Sequence, residues 1–284
     1  MDFEQNFSIR TDMADEAHRL WQGGAAQRTK LNGVRSATEH IHGLELIETQ
    51  ILDSEGEQAL GKARGKYFSL SLPRLFDRGA AEFSDCVAAL AELILRCTGT
   101  EFQSVLVAAL GNPDITPDAL GNLAAGNILV TRHLSREEFP QFKSVSLRRP
   151  GVLGTSGMES AEQVKQLCDL VRPSLVIAID ALAGSDGDRL CRCIQLSDAG
   201  INPGSGVGNN RQELSRTVLG VPVIAIGMPT VIDAGHFGGE GFGGMFVTPR
   251  NIDSVVRAAG RLIGYGINMA VQGLSVEDID GLIA

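Results

Sequence analysis

No run in the 284 residues approaches the ~20 consecutive apolar residues that a membrane-spanning helix requires. The longest candidate, Val221 to Val231, is interrupted by Pro222, Gly227 and Pro229. The N-terminus, Met-Asp-Phe-Glu-Gln, is acidic and lacks the apolar stretch of a secretory signal, so a cytoplasmic protein is expected. Basic charge is in short supply: 25 Lys and Arg stand against 34 Asp and Glu, a net charge of −9. That balance argues against a nucleic-acid-binding surface. It suits a basic or neutral polypeptide partner, although mild acidity is ordinary among cytosolic proteins. Cysteine is sparse and odd in number: Cys86, Cys97, Cys168, Cys191 and Cys193, with no C-x-x-C. Cys191-Arg-Cys193 on a strand puts two thiols on one face, too few ligands for a metal, and buried reduced thiols are expected. There is no G-x-S-x-G and no H-E-x-x-H, and nothing supports a serine triad.

What is present is a globular composition, 43% hydrophobic and 21% charged with 34 glycines, long enough for one large α/β domain. Loose alternation predicts strands over 44–51 and 66–72, an antiparallel side sheet. Helical spacing of apolar residues marks 81–96, 159–171, 209–219, 252–269 and 276–283, and a helix beginning within 16–22. Short apolar runs predict strands at 104–110, 128–131, 175–179, 192–196 and 221–226. The alternation of strands and helices implies an α/β fold: three layers, a mostly parallel central sheet with helices on both faces, plus the small antiparallel side sheet. His40-Ile-His42 would put two imidazoles on one strand face, most simply as surface polar residues. Residues 235–244, rich in glycine, read as a flexible surface loop. The short polar segment Ser8 to Ala14 is expected to be exposed.

Two strand ends carry carboxylates. The first run, Val105 to Leu110, breaks into Gly111-Asn112-Pro-Asp-Ile-Thr116-Pro117-Asp118-Ala-Leu-Gly121. Gly111 permits a tight turn, Asn112 orders the loop, and Thr116-Pro117 signals a helix start, with Thr as N-cap. Asp118 then lies in a first helical turn, where the dipole favours its ionised form. The second run, Leu175 to Ile179, ends on Asp180, whose apolar setting predicts a higher pKa. Each aspartate reads equally as a cap or as one half of an acid/base pair. Pro203-Gly204-Ser205-Gly206-Val-Gly-Asn209 is a glycine-rich loop that is neither a P-loop nor a G-x-G-x-x-G. It suits a phosphate, a closely passing peptide, or a nest of amide donors.

Taken in order, these strings resemble the germination protease family. The matching segments are Arg10-Thr-Asp12-Met13-Ala14; Gly111-Asn112 with Thr116 to Gly121; Leu129 to Leu134; Pro150 to Gly154; Val176 to Leu182; Ile194-Gln-Leu-Ser-Asp198; Pro203 to Asn209; and Val221 to Gly227. The family is similar in fold to hydrogenase maturation endopeptidases. The resemblance implies an atypical aspartic-type endopeptidase that degrades small acid-soluble spore proteins during germination, works as a homotetramer in the spore core, and needs no cofactor. It implies a self-processing zymogen, residues 1–12 being a propeptide and 13–284 the peptidase domain, cut between Asp12 and Met13. Asp118 and Asp180 would be catalytic. Asn112, Asp198, Gly204, Ser205, Gly206 and Asn209 would support the site or the substrate, with Asp198 ordering its loop. The alternative is a metal-dependent maturation endopeptidase using Asp118, Asp180 and a histidine, His133. A nucleotide-binding module on the 204–209 loop and an inactive interaction protein are further alternatives. Relatives carry a longer insert where this chain has only 235–244.

Overall fold

The computed structural model describes residues 11–23, 31–72, 80–204, 211–238 and 242–283. In chain order the elements are α1 (Ala14–Gly23), β1 (Val34–Ile41), β2 (Leu44–Ile51), α2 (Ser54–Leu60), β3 (Gly65–Ser71), α3 (Ala80–Thr98) and β4 (Ser104–Ala109). A 3₁₀ turn (Thr116–Asp118) leads into α4 (Leu120–Ala125), followed by β5 (Ser144–Arg148), α5 (Leu153–Ser156), α6 (Ser160–Val171), β6 (Leu175–Gly184) and β7 (Cys193–Ser197). The chain closes with α7 (Arg216–Leu219), β8 (Val223–Asp233), α8 (Gly235–Gly238), β9 (Phe246–Val247), α9 (Ile252–Gln272) and α10 (Val276–Ile283).

The strands form one mixed nine-stranded sheet in the order β1-β2-β3-β7-β8-β6-β4-β5, with β9 on β8. The antiparallel hairpin strands are therefore not a separate side sheet. Through β3 and β7 they continue into the parallel half, β8-β6-β4-β5. The sheet is α/β as expected but only partly parallel. The reason lies in β7, which pairs antiparallel with both neighbours and so joins the two halves.

Alternation along the central strands builds two cores. Ile177 and Ile179 of β6, with Ile224 and Ile226 of β8, face Leu90, Leu262 and their neighbours on α3 and α9. Val176, Ala178 and Val223 face Val164 and Cys168 of α6 on the other side. Burying large aliphatic side chains at ~1.5–3 kcal/mol each makes this double burial the main stabilising contribution. It also explains why these strands read as unbroken apolar runs.

Several local expectations change. The 128–131 segment is not a strand; the strand beside β4 is β5. Of the expected helix 209–219, the described residues 211–219 hold only the four-residue α7, capped by Ser215, whose Oγ accepts from the Val218 N–H. β1 stops at Ile41, and His42 turns into the hairpin with φ +49, so the two imidazoles do not share a strand face. Its Nε2 lies 3.2 Å from Glu92 Oε2. Cys191 likewise sits outside β7 with φ +62 and packs in the first core, opposite Cys193, so the two thiols do not align. All five cysteines are free, and burial pushes the Cys191 and Cys193 thiols up to about 12. Within 235–244, residues 235–238 form the single turn α8.

Candidate active site

Asp118 reaches the site through a turn that only glycine can make. Gly111 has φ +91, and a Cβ there would collide with the Asp118 carbonyl. Folding back this tightly lets the Asn112 backbone N–H donate to Asp118 Oδ2 at 2.7 Å. The Asn112 side chain accepts from the Asp114 N–H at 3.0 Å, which orders the turn. Asn122, which the sequence did not single out, donates from Nδ2 to the carbonyls of Leu110 and Gly111. The helix start differs from expectation. Thr116 does not cap it; Ile115 is the N-cap without a side-chain bond, and Asp118 ends the 3₁₀ turn rather than opening α4. Burial therefore dominates, and the Asp118 carboxyl moves up rather than down, partly offset by the Asn112 N–H.

Asp180 does not end its strand, because β6 continues to Gly184 in register with β8. The site is thus built on the middle of a central strand. Asp180 is 4% exposed. Burial raises its pKa well above the ordinary carboxylate range, and the nearby charges of Asp118 and Asp12 push it further, against one N–H from Ala181. Asp118 and Asp180 line one cavity of about 480 Å³, together with Asp12 and Gly204. Two coupled carboxyls of unequal proton affinity in one cavity can hold one proton between them and exchange it with a water.

The N-terminal segment is where expectation and structure part most. Among its described residues, Thr11, Met13 and Ala14 are buried, Met13 completely. The segment is held backbone to backbone and by side chains from distant elements. The Asp12 N–H donates to the Ala183 carbonyl at 2.8 Å, and the Ala183 N–H donates to Asp12 Oδ2 at 2.8 Å. Gln195 Nε2 donates to the Asp12 carbonyl at 3.1 Å, and its Oε1 accepts from the Ala14 N–H at 2.7 Å. Lys62 Nζ stands 3.9 Å from Asp12 Oδ1. Burial lowers the Lys62 pKa, against the opposing charges of Asp12 and Glu16. Met13 packs on Leu182, Cys193 and Ile201. Behind it, Glu16 Oε2 accepts from Thr11 Oγ1, the Ser185 N–H and Ser185 Oγ, and Asp15 pairs with Arg189 at 2.9 Å. A second cavity of about 520 Å³ lies beyond. Asp12 and Leu182 line both cavities, so the segment forms the wall between them.

Other candidates fall elsewhere. Asp198 is exposed and accepts from the Lys66 N–H at 2.7 Å, ordering the start of β3 outside the dyad cavity. Ser205, Gly206 and Asn209 lie outside the described residues. His133 is exposed. Among the described residues no three His, Cys, Asp or Glu side chains are grouped to hold a metal, so the carboxylate–histidine set does not fit one. Lys62, Gln195 and Glu16 were missed. Gln195 had a signal: it is the polar residue between Ile194 and Leu196, which both face the first core, so it points to the opposite face of a central strand.

The family model for germination proteases matches residues 11–241. A germination protease of Caldanaerobacter subterraneus subsp. tengcongensis is 36% identical over 97% of this chain and 98% of its own length. Its alignment spans 322 positions against the 284 residues here, so that relative carries segments this chain lacks. Germination proteases of Clostridium acetobutylicum (33% identical, 96% of this chain and 98% of the relative) and Bacillus cereus (38%, 92% and 70%) also match. Among solved structures, the NiFe hydrogenase maturation protease HycI from Thermococcus kodakarensis KOD1 aligns with a TM-score of 0.37 and 18% identity, over 62% of this chain and 99% of that one. The chain belongs to the germination protease family.

Proposed function

We propose that this peptidase is a self-processing zymogen that cuts its own Asp12–Met13 bond and then small acid-soluble spore proteins, with Asp118 and Asp180 as the catalytic pair. The single observation that carries the reading is the position of Asp12. Its carboxyl lines the cavity that holds both aspartates, and its charge is felt by Asp180. The segment is tied to Ala183 of β6 by two bonds, Asp12 N–H to the Ala183 carbonyl and the Ala183 N–H to the Asp12 carboxylate, which supports reading it as a bound substrate.

The chemistry follows from the unequal proton affinities. Asp180, the more deeply buried, carries the shared proton, and Asp118 is ionised first. Asp118 takes a proton from the attacking water, while Asp180 gives its proton toward the peptide and the departing Met13 amine. No covalent intermediate is needed. Lys62 and the Ala183 N–H receive the acidic side chain before the cut, and the apolar wall around Met13 receives the residue after it. Substrates would therefore read acidic, then apolar, then small, as Asp12-Met13-Ala14 does.

The same reading carries a homotetramer in the spore core. The run of exposed apolar residues Phe237, Phe242, Met245, Phe246 and Val247 supports contact between copies. The test of function is cleavage in trans. The acid-treated full chain, incubated with a purified small acid-soluble spore protein, should give a few discrete cuts, each after an acidic residue. An intact substrate, or cuts scattered without regard to that residue, would refute the assignment.

A further inference from the structure

We propose that Gln195 is a catalytic residue of this site, its carboxamide N–H polarising the carbonyl of the bond to be cut while its carboxamide oxygen fixes the chain two residues on. This deepens the reading of Asp12–Met13 as the scissile bond and rests on it.

The geometry starts from the sheet. Gln195, Gly227 and Asp180 are register partners across β7, β8 and β6, so their side-chain positions lie on one face. Gln195 and Asp180 are thus two strand spacings apart, about 10 Å between backbones; Gly227 between them has no side chain of its own, and Leu182 packs over it. Gly227 cannot be larger: a Cβ there would lie 2.6 Å from Leu182 Cγ and 2.8 Å from the Asp180 carbonyl. The 12–14 segment occupies this face, the Asp12 carbonyl engaged by Gln195 from one side. Asp180 and Asp12 line the same cavity.

The orientation of the carboxamide is fixed by its partners. The Ala14 N–H can only donate and the Asp12 carbonyl can only accept, so Oε1 must face the first and Nε2 the second. Gln195 is 7% exposed, and this pair of bonds spans the scissile peptide. When water adds to the Asp12 carbonyl, its oxygen takes on negative charge. A preorganised N–H at 3.1 Å is then worth more than in the ground state. Loss of one such donor typically lowers the rate by about 10²–10³-fold. A bond that merely held the segment would strengthen ground state and transition state alike.

The test measures first-order self-processing of the full chain by intact mass across mildly acidic to neutral pH. Wild type is compared with Gln195→Met and Gln195→Glu, with near-ultraviolet circular dichroism confirming folding. Gln195→Met keeps the shape and removes both hydrogen bonds. Gln195→Glu keeps an acceptor for Ala14 and regains a donor only when protonated. The expected result is a loss of about 10²–10³-fold for both at neutral pH. The ratio of Gln195→Glu to wild type should then recover on acidification, while that of Gln195→Met stays flat. Processing of Gln195→Met within about threefold of wild type would overturn the proposal, as would equal losses with no acid recovery of the glutamate variant, which mark a purely structural clamp. A wild-type chain that leaves Asp12–Met13 intact refutes the zymogen reading beneath it, and the comparison separates the two failures.

Discussion

Asp180 is a carboxyl almost wholly shielded from solvent, with two other carboxyls within reach of its charge. Its pKa is therefore higher folded than unfolded, and the sign of its effect on stability is fixed. Below the ordinary carboxylate range, near ~3.9, both states are protonated and there is no penalty. As pH rises from there through the raised folded value, the unfolded chain sheds its proton first and stability falls. Asp180→Asn removes this cost, so thermal melts should show a higher Tm for the variant at pH 7, the difference closing toward pH 4. A variant less stable than wild type at pH 7 would contradict the picture of a strained carboxyl. Lys62 is the matching cation. Its ammonium and the Asp12 carboxylate form an ion pair at 3.9 Å, beyond hydrogen-bonding distance, and a net contribution of ~1.4 kcal/mol would be about tenfold in rate. Wild type should process Asp12 faster than an Asp12→Asn chain by that factor, and Lys62→Met should bring the two rates together. The mass-spectrometric rate ratio decides, and undiminished preference in Lys62→Met removes Lys62 from the subsite.

The turn between β4 and α4 delivers Asp118. Gly111→Ala places an alanine at φ +91 and against the Asp118 carbonyl. The expected cost is ~1–3 kcal/mol in urea unfolding, with a processing loss of about 10²-fold from a carboxylate moved by an ångström. Unchanged stability and rate would show that the turn has slack. This turn was legible in the sequence because Gly111-Asn112 and Asp118 interact locally, within seven residues. The long elements α3, α6 and α9 and the central strands were legible too, each from a sustained apolar pattern. Other elements left no such signal. β1 has only Ala37 as an apolar residue between Val34 and Ile41, and α2 has seven residues, its start visible only in Asp53, whose Oδ1 accepts from the Glu55 and Gly56 N–H groups. The end of β6 was misplaced because Asp180 is a buried polar residue inside a strand, where pattern reading sees a terminus. Segment 11–14 read as exposed because most of what buries it, Leu182, Ala183, Cys193, Gln195 and Ile201 among them, lies far away in sequence. Its composition records none of those partners.

At the scale of the whole molecule, the proposed reading puts a peptide of the chain itself in the position of a substrate and so predicts an intramolecular first cut. Its half-time should not change on tenfold dilution; a rate that falls in proportion would show that one copy cuts another. Light scattering should give about four times the 30.1 kDa of one chain, whereas a mass of one chain would leave the exposed Phe237–Val247 region without the role given to it. The central claim is that Asp118 and Asp180 together break the bond between Asp12 and Met13. The most direct measurement is intact mass with N-terminal sequencing of the full chain after mild acid incubation, for wild type, Asp118→Asn and Asp180→Asn. The account predicts a new terminus at Met13 in wild type and an uncut chain in both variants. A terminus at Met13 in either variant at the wild-type rate, or a wild-type cut at another bond, would contradict it.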